Sequence, residues 1–184
     1  MKNPNKVLIL DRDGVINEDL WDYVKVPEDF KPIHGSIESI ATLYQSGYKI
    51  TVATNQACIG KGIISDEELK RVHNFMLEII EEKGGKVDCI AYCPHSPEEK
   101  CNCRKPEIGL LTKIENELKI NLEGSYFIGD KESDVLAARN FGCIPLLVKT
   151  GYGKKTLESP FCPKEEHCFE DLKHAAAYIL KNPL

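Results

Sequence analysis

Asp11 and Asp13 stand two positions apart in DRDGVIN (11–17), directly after the apolar run VLIL (7–10). Carboxylates crowded at the end of a buried strand repel one another unless a hard divalent cation sits among their oxygens. Three other short stretches carry chemistry that matches. Thr54, Asn55 and Gln56 end the apolar run YKITVAT, Arg104 and Lys105 stand in CRKP (103–106), and Asp130 and Lys131 follow SYFIG (125–129). Carboxylates can hold Mg²⁺ or attack phosphorus, while a hydroxyl and an ammonium can hold the transferring phosphoryl oxygens. Singly, each has an ordinary use: D-x-D as a turn or cap, Thr54 and Asn55 as loop caps, Asp130 as an N-cap, Lys105 as a surface lysine. Their joint occurrence at strand ends is what those uses leave unexplained.

A second constellation lies in CPHSPEEKCNC (93–103), where Cys93, His95, Cys101 and Cys103 form C-x-H…C-x-C with SPEEK between the halves. Three thiolates and an imidazole make a closed tetrahedral Zn²⁺ set, which predicts a structural site. Disulfides or free thiols fit less well in a chain read as cytoplasmic. The loop runs on into Arg104 and Lys105, so a bound metal would fix the stem of that lysine. Cys58, Cys89 and Cys143 read as small packed thiols, and Cys162 and Cys168 beside His167 as incidental, with no fourth ligand near.

These groups need strands to aim them. Strands are predicted over 6–10, 48–54, 87–92, 125–129 and 144–148, and helices over 36–47, 65–84, 107–118, 132–142 and 169–181. Ser65 and Glu68 form a capping box, Pro106 suits the first turn of its helix, Phe169 shares an apolar face with Leu172 and Ile179, and 151–168 reads as a loop. Such alternation implies an α/β fold: a Rossmann-like parallel sheet with helices on both faces and ligands beyond the carboxyl ends of the strands. One domain over 1–184 is expected, with the zinc loop 93–103 inserted. The 40 residues from 14 to 53 and the 50 from 55 to 104 are too few for a cap domain.

The net charge of −5, from 24 basic and 29 acidic residues without blocks, offers no footprint for nucleic acid or an anionic membrane. No run approaches a membrane span, and the amino end holds too short an apolar run for a signal peptide. A cytoplasmic protein is expected.

VLILDRDGVIN, VATNQ, CRKP and IGDKESD resemble the four motifs of the haloacid dehalogenase superfamily of aspartate-dependent phosphatases, and span residues 7 to 134. The resemblance implies Asp11 as nucleophile. Asp13 is then the group that protonates the leaving oxygen and later deprotonates water. Thr54 and Lys105 bind the phosphoryl group, and Asp134 is an orienting carboxylate. Mg²⁺ is held by Asp11, the backbone carbonyl of Asp13, and Asp130. The zinc loop and missing cap are similar to a branch acting on a sugar bisphosphate or on an amino-alcohol phosphate. Lys131 and DYV (22–24) favour the sugar bisphosphate.

A phosphorylated small-molecule substrate and a monomer are therefore expected. Asp19, Tyr23, Asn55, Gln56, Arg104 and Lys131 are the candidate substrate contacts, with Arg104 best suited to a second phosphate. Trp21 and Tyr23 fit either sugar binding or packing of their loop. Lys61 reads as a mobile loop lysine. A non-catalytic phospho-acceptor module is the rival from another class, and the intact set with Asp13 and Thr54 favours turnover. A DNA 3′-phosphatase is disfavoured by the net negative charge.

Overall fold

The computed structural model describes residues 6–184; the expectation about the extreme amino end rests mostly on residues 1–5, which lie outside the described residues. Strands β1 (Val7–Leu10), β2 (Lys49–Asn55), β3 (Cys89–Cys93), β4 (Tyr126–Gly129), β5 (Ile144–Val148) and β6 (Cys168–Phe169) form one sheet. Its order is β3-β2-β1-β4-β5-β6, and every pairing is parallel. β1 is buried from end to end, so its side chains serve both faces of the sheet. Leu8 and Leu10 join a core with α1 (Ser36–Gln45), α3 (Asp66–Glu82) and α7 (Leu172–Lys181). Val7 and Ile9 join the opposite core with α4 (Gly109–Leu118) and α5 (Glu132–Phe141).

The chain leaves β1 toward β2 and β3 on one side, and later fills β4 to β6 on the other. The carboxyl end of β1 is therefore a topological switch point, where a parallel sheet opens a crevice. Asp11 N–H donates to the Ile128 carbonyl at 2.9 Å, which ties that crevice shut at its base. No cap domain interrupts the intervals before β2 or before Lys105. No described helix is long and apolar enough to cross a membrane.

Several local expectations need correcting. Phe169 lies in β6, and α7 starts only at Leu172, because the Asp171 carboxylate caps it by accepting the His174 N–H at 3.0 Å. Residues 151–168 are not a plain loop: they hold the short helix α6 (Gly153–Thr156) and lead into an edge strand. Pro106 stands outside α4, because a turn closed by Glu107 N–H to the Arg104 carbonyl (2.9 Å) intervenes. A short helix α2 (Ala57–Gly60) follows β2 where none was predicted.

The Ser65 capping box forms as predicted, with Glu68 N–H donating to Ser65 Oγ at 3.2 Å and Ser65 N–H to Glu68 Oε2 at 2.7 Å. Ser65→Ala should lower stability by about 1 kcal/mol in urea denaturation. An unchanged midpoint would show that the helix start is held by packing alone.

Candidate active site

A cleft of about 380 Å³ opens at the carboxyl ends of β1, β2 and β4, with Asp11, Asp13, Thr54, Lys105 and Asp134 among its lining. Lys105 Nζ lies 3.0 Å from Asp11 Oδ1 and 2.6 Å from Asp134 Oδ1, and donates to the Ala53 carbonyl at 2.7 Å. Burial, then the Asp134 charge, raises the pKa of Asp11, and Lys105 opposes both. Burial works against the Lys105 charge too, but Asp11 and Asp134 prevail and raise its pKa. Asn55 holds this lysine in place: its Oδ1 accepts the Lys105 N–H at 3.0 Å and its Nδ2 donates to the Lys105 carbonyl at 3.1 Å.

Asp130 is fully buried, and burial raises its pKa well above the ordinary carboxylate value. Its Oδ2 accepts the Tyr152 N–H at 2.8 Å, whereas its Oδ1 has no hydrogen-bond partner and stands 3.6 Å from Lys131 Nζ. Asp134 Oδ2 accepts the N–H groups of Asp130 and Lys131 at 3.2 and 3.0 Å. Oxygens of Asp11, Asp130 and Asp134 lie within 4.8 Å of one another. A buried carboxylate oxygen without a donor, facing two more carboxylates, is the donor set a hard cation satisfies. The backbone is pressed close to it. A Cβ on Gly14, where φ is +89°, would stand 2.2 Å from Asp130 Oδ2.

Asp13 reaches the cleft by a turn rather than by strand alternation. β1 ends at Leu10, and Ile16 N–H donates to the Arg12 carbonyl at 2.8 Å. The Asp13 carboxylate accepts Arg12 Nη2 at 2.9 and 3.0 Å, Asn17 Nδ2 at 2.9 Å and Gln56 Nε2 at 2.9 Å. Burial alone would raise its pKa, but Arg12 and these donors hold it below the usual carboxylate range.

Arg12 was not among the predicted residues, yet its side chain is completely buried. It also donates to Gln56 Oε1 at 3.2 Å and lies 3.2 Å, through Nη1, from His73 Nε2. Burial pushes the His73 pKa down to about 3, so the ring is neutral and can accept from the guanidinium. The available signals were an arginine wedged between two motif aspartates, and a histidine beside Val72 on the apolar stripe of α3.

The remaining candidates divide. Arg104 lines the cleft and donates to the His95 carbonyl at 3.3 Å. Lys131 Nζ donates to Asp19 Oδ2 at 3.0 Å, and burial of the lysine is outweighed by Asp11 and Asp130, which raise its pKa. Tyr23 lines the cleft and also packs on Cys58, Ile64 and Leu69, with Lys61 Nζ 5.7 Å from its ring centre. Gln56, expected among the substrate contacts, is instead buried beneath the cleft, its amide spent on Arg12, Asp13 and Thr54. Ser133 and Tyr152 line the cleft and were missed, one inside a predicted helix and the other in a supposed loop.

Cys93, His95, Cys101 and Cys103 converge as predicted. The Sγ atoms of Cys103 lie 3.2 Å from Cys93 and 3.4 Å from Cys101, and His95 Nδ1 is 3.2 Å from Cys103 Sγ. A tetrahedron with Zn–S of about 2.3 Å has edges near 3.8 Å, so the four donors enclose the space of one small ion. Burial works against charge on Cys101, but the Arg104 N–H, 3.3 Å away, and its neighbours bring its pKa to about 6.

Comparison with known proteins places this arrangement. Residues 102–175 match the HAD-hydrolase-like family. The D-glycero-beta-D-manno-heptose-1,7-bisphosphate 7-phosphatase of Pseudomonas aeruginosa is 45% identical over 175 residues, covering 95% of this chain and 98% of its own. The chain belongs to this heptose-bisphosphatase family of haloacid dehalogenase-like hydrolases. The resemblance to the haloacid dehalogenase superfamily is thereby borne out. Within the family, the crystal structure of the Bordetella bronchiseptica enzyme, complexed with magnesium and phosphate, aligns with a TM-score of 0.91. That protein is 38% identical, over 96% of this chain and 98% of its own. The Burkholderia thailandensis heptose-bisphosphatase aligns at 0.73 with 31% identity, over 95% and 97% of the two chains.

The neutral His73 makes a pH prediction. Its folded pKa of about 3 lies below the ordinary 6.5, so its contribution to stability is complete above pH 6.5 and falls as pH drops toward 3. Between pH 6.5 and 5 the wild type should lose about 2 kcal/mol more than His73→Gln, which keeps an acceptor for Arg12. Parallel loss in both proteins during denaturant titrations would show that His73 charges freely in the fold.

Proposed function

We propose that the chain removes the 7-phosphate of D-glycero-D-manno-heptose 1,7-bisphosphate through an aspartyl-phosphate on Asp11. The observation that carries this reading is the buried ion-paired group at the cleft floor, with Lys105 Nζ 3.0 Å from Asp11 and 2.6 Å from Asp134. Lys105 works against burial and Asp134, which raise the Asp11 pKa, and so favours the ionised form that a carboxylate nucleophile requires. The substrate is taken from the relatives, among them the Pseudomonas aeruginosa phosphatase at 45% identity.

In the first half-reaction an Asp11 oxygen forms a bond to phosphorus as the bond from phosphorus to the sugar oxygen breaks. Asp13 gives its proton to that departing oxygen. The Thr54 hydroxyl and the Lys105 ammonium hold the phosphoryl oxygens as charge spreads over them. In the second half-reaction Asp13 takes a proton from water, whose oxygen bonds phosphorus while the bond to Asp11 breaks.

Asp13 must therefore change state within a cycle. The Arg12 fork favours the carboxylate, the form that serves water attack. A substrate phosphate beside Asp13 adds negative charge and raises its pKa, which supplies the acid form when the leaving group needs it. Asp11, the Asp13 carbonyl and Asp130 would hold Mg²⁺, and Asp134 fixes Asp130 through its main chain. When bound, the ion neutralises charge among the carboxylates and the substrate phosphate.

Arg104 would take the second phosphate with help from Lys131, and Asp19 and Tyr23 would flank the sugar. Cys93, His95, Cys101 and Cys103 would hold a structural Zn²⁺ that steadies the chain leading to Lys105. Every group in this scheme comes from one chain, so a monomer suffices. The reading takes residues 1–184 as one phosphatase domain acting in the cytoplasm.

Asp11→Asn should cut kcat at least about a thousandfold with an unchanged circular dichroism spectrum, in the range expected on losing a covalent nucleophile. Substantial residual turnover removes Asp11 from that role. The wild type should prefer heptose 1,7-bisphosphate to histidinol phosphate in kcat/KM, and the reverse order would reassign the substrate. Elemental analysis should find close to one Zn per chain; a zinc-free protein that folds and turns over normally would refute the structural metal.

A further inference from the structure

The geometry points to an aromatic platform, made by Trp21 and Tyr152 on the lip of the cleft, that receives the pyranose ring of a phosphorylated sugar. The inference rests on the sugar-phosphatase reading above and adds the surface that recognises the ring rather than the phosphates.

Trp21 is 68% exposed, the most exposed large hydrophobic side chain among the described residues. Its backbone has φ of +60°, a left-handed conformation strained for a bulky residue. Packing does not explain either feature. Tyr23, two residues on, anchors the same loop against Cys58, Ile64 and Leu69, while the aromatic contact of Trp21 is with Tyr152, centroids 4.5 Å apart and planes at 65°. Both rings line the cleft that holds Asp11 and Lys105.

The pair is held by a closed circuit of polar contacts. Asp19 Oδ1 accepts the Trp21 N–H at 3.0 Å, which fixes the strained turn. Asp19 Oδ2 accepts Lys131 Nζ at 3.0 Å, and the same ammonium lies 4.9 Å from the centre of the Tyr152 ring. Tyr152 N–H in turn donates to Asp130 Oδ2, so the platform is wired to the carboxylate proposed for Mg²⁺. An exposed indole paired with a tyrosine ring that carries a lysine ammonium suits a ligand with an apolar C–H face and anionic substituents. A pyranose phosphate has both, since its axial C–H bonds make one ring face apolar.

Trp21 is the sole tryptophan of the chain, so its emission reports on the platform directly. Saturable quenching is expected when the Asp11→Asn variant, which should not turn over, is titrated in Mg²⁺ with heptose 1,7-bisphosphate or glucose 6-phosphate, and no quenching with inorganic phosphate. No response to either sugar phosphate, or an equal response to inorganic phosphate, overturns the platform. This arm decides the matter even if the wild type fails to hydrolyse heptose bisphosphate, a result that would sink the substrate assignment instead. In kinetics, Trp21→Ala and Tyr152→Ala should each lower the kcat/KM ratio of heptose bisphosphate to acetyl phosphate about tenfold, mainly through KM, and Trp21→Phe should restore most of it. A tenfold change corresponds to about 1.4 kcal/mol. An unchanged ratio in both alanine variants contradicts the inference.

Discussion

Three carboxylates share the buried floor of one crevice, and the rest of the molecule is arranged around that constraint. Oxygens of Asp11, Asp130 and Asp134 approach within 4.8 Å, where a pair of like charges repels by roughly 3 kcal/mol at an effective dielectric of 20. Lys105 offsets part of this, and its own position is fixed twice over: Asn55 clamps its main chain, and the Cys–His loop sets the approach from β3. Lys131 offsets another part from the rim. Asp130 Oδ1 still lacks a donor, which marks where the remaining positive charge belongs.

The two aspartates of DRDGVIN have different environments, which match the separate tasks proposed for them. Asp11 faces Lys105 and other carboxylates. Asp13 turns to a buried arginine, an asparagine and a glutamine, and is stabilised as a base. One residue separates them in sequence, and that residue, Arg12, makes the difference. Its burial is tolerable because Asp13 balances its charge and neutral His73 and Gln56 accept its other N–H groups.

Most of the sheet was legible because β1, β2, β4 and β5 are short apolar runs bounded by turn residues, and the ends of those runs carried the chemistry. What could not be read were features set by tertiary contact. β6 is two residues long and exists because Cys168 and Phe169 pair with Leu147 and Val148; Phe169 in isolation extends the helical pattern. Gln56 looked like a ligand at a strand end, but the chain turns into α2 there and buries it. Arg12 and His73 found each other across 61 residues, a pairing that no local pattern encodes. The cluster of Cys93, His95, Cys101 and Cys103 was legible because its chemistry and spacing are themselves local.

The acidic floor has the donor set of a divalent-cation site, and Asp130, with one oxygen left without a donor, is its most dependent member. Thermal unfolding with and without Mg²⁺, in wild type and Asp130→Asn, tests it most directly. Mg²⁺ at about 100 times its Kd should stabilise the wild type by about 2.7 kcal/mol. The variant should lose that response and, without Mg²⁺, be at least as stable as the wild type, because one repelling charge is gone. An equal Mg²⁺ response in both proteins, or none in the wild type, would contradict the account.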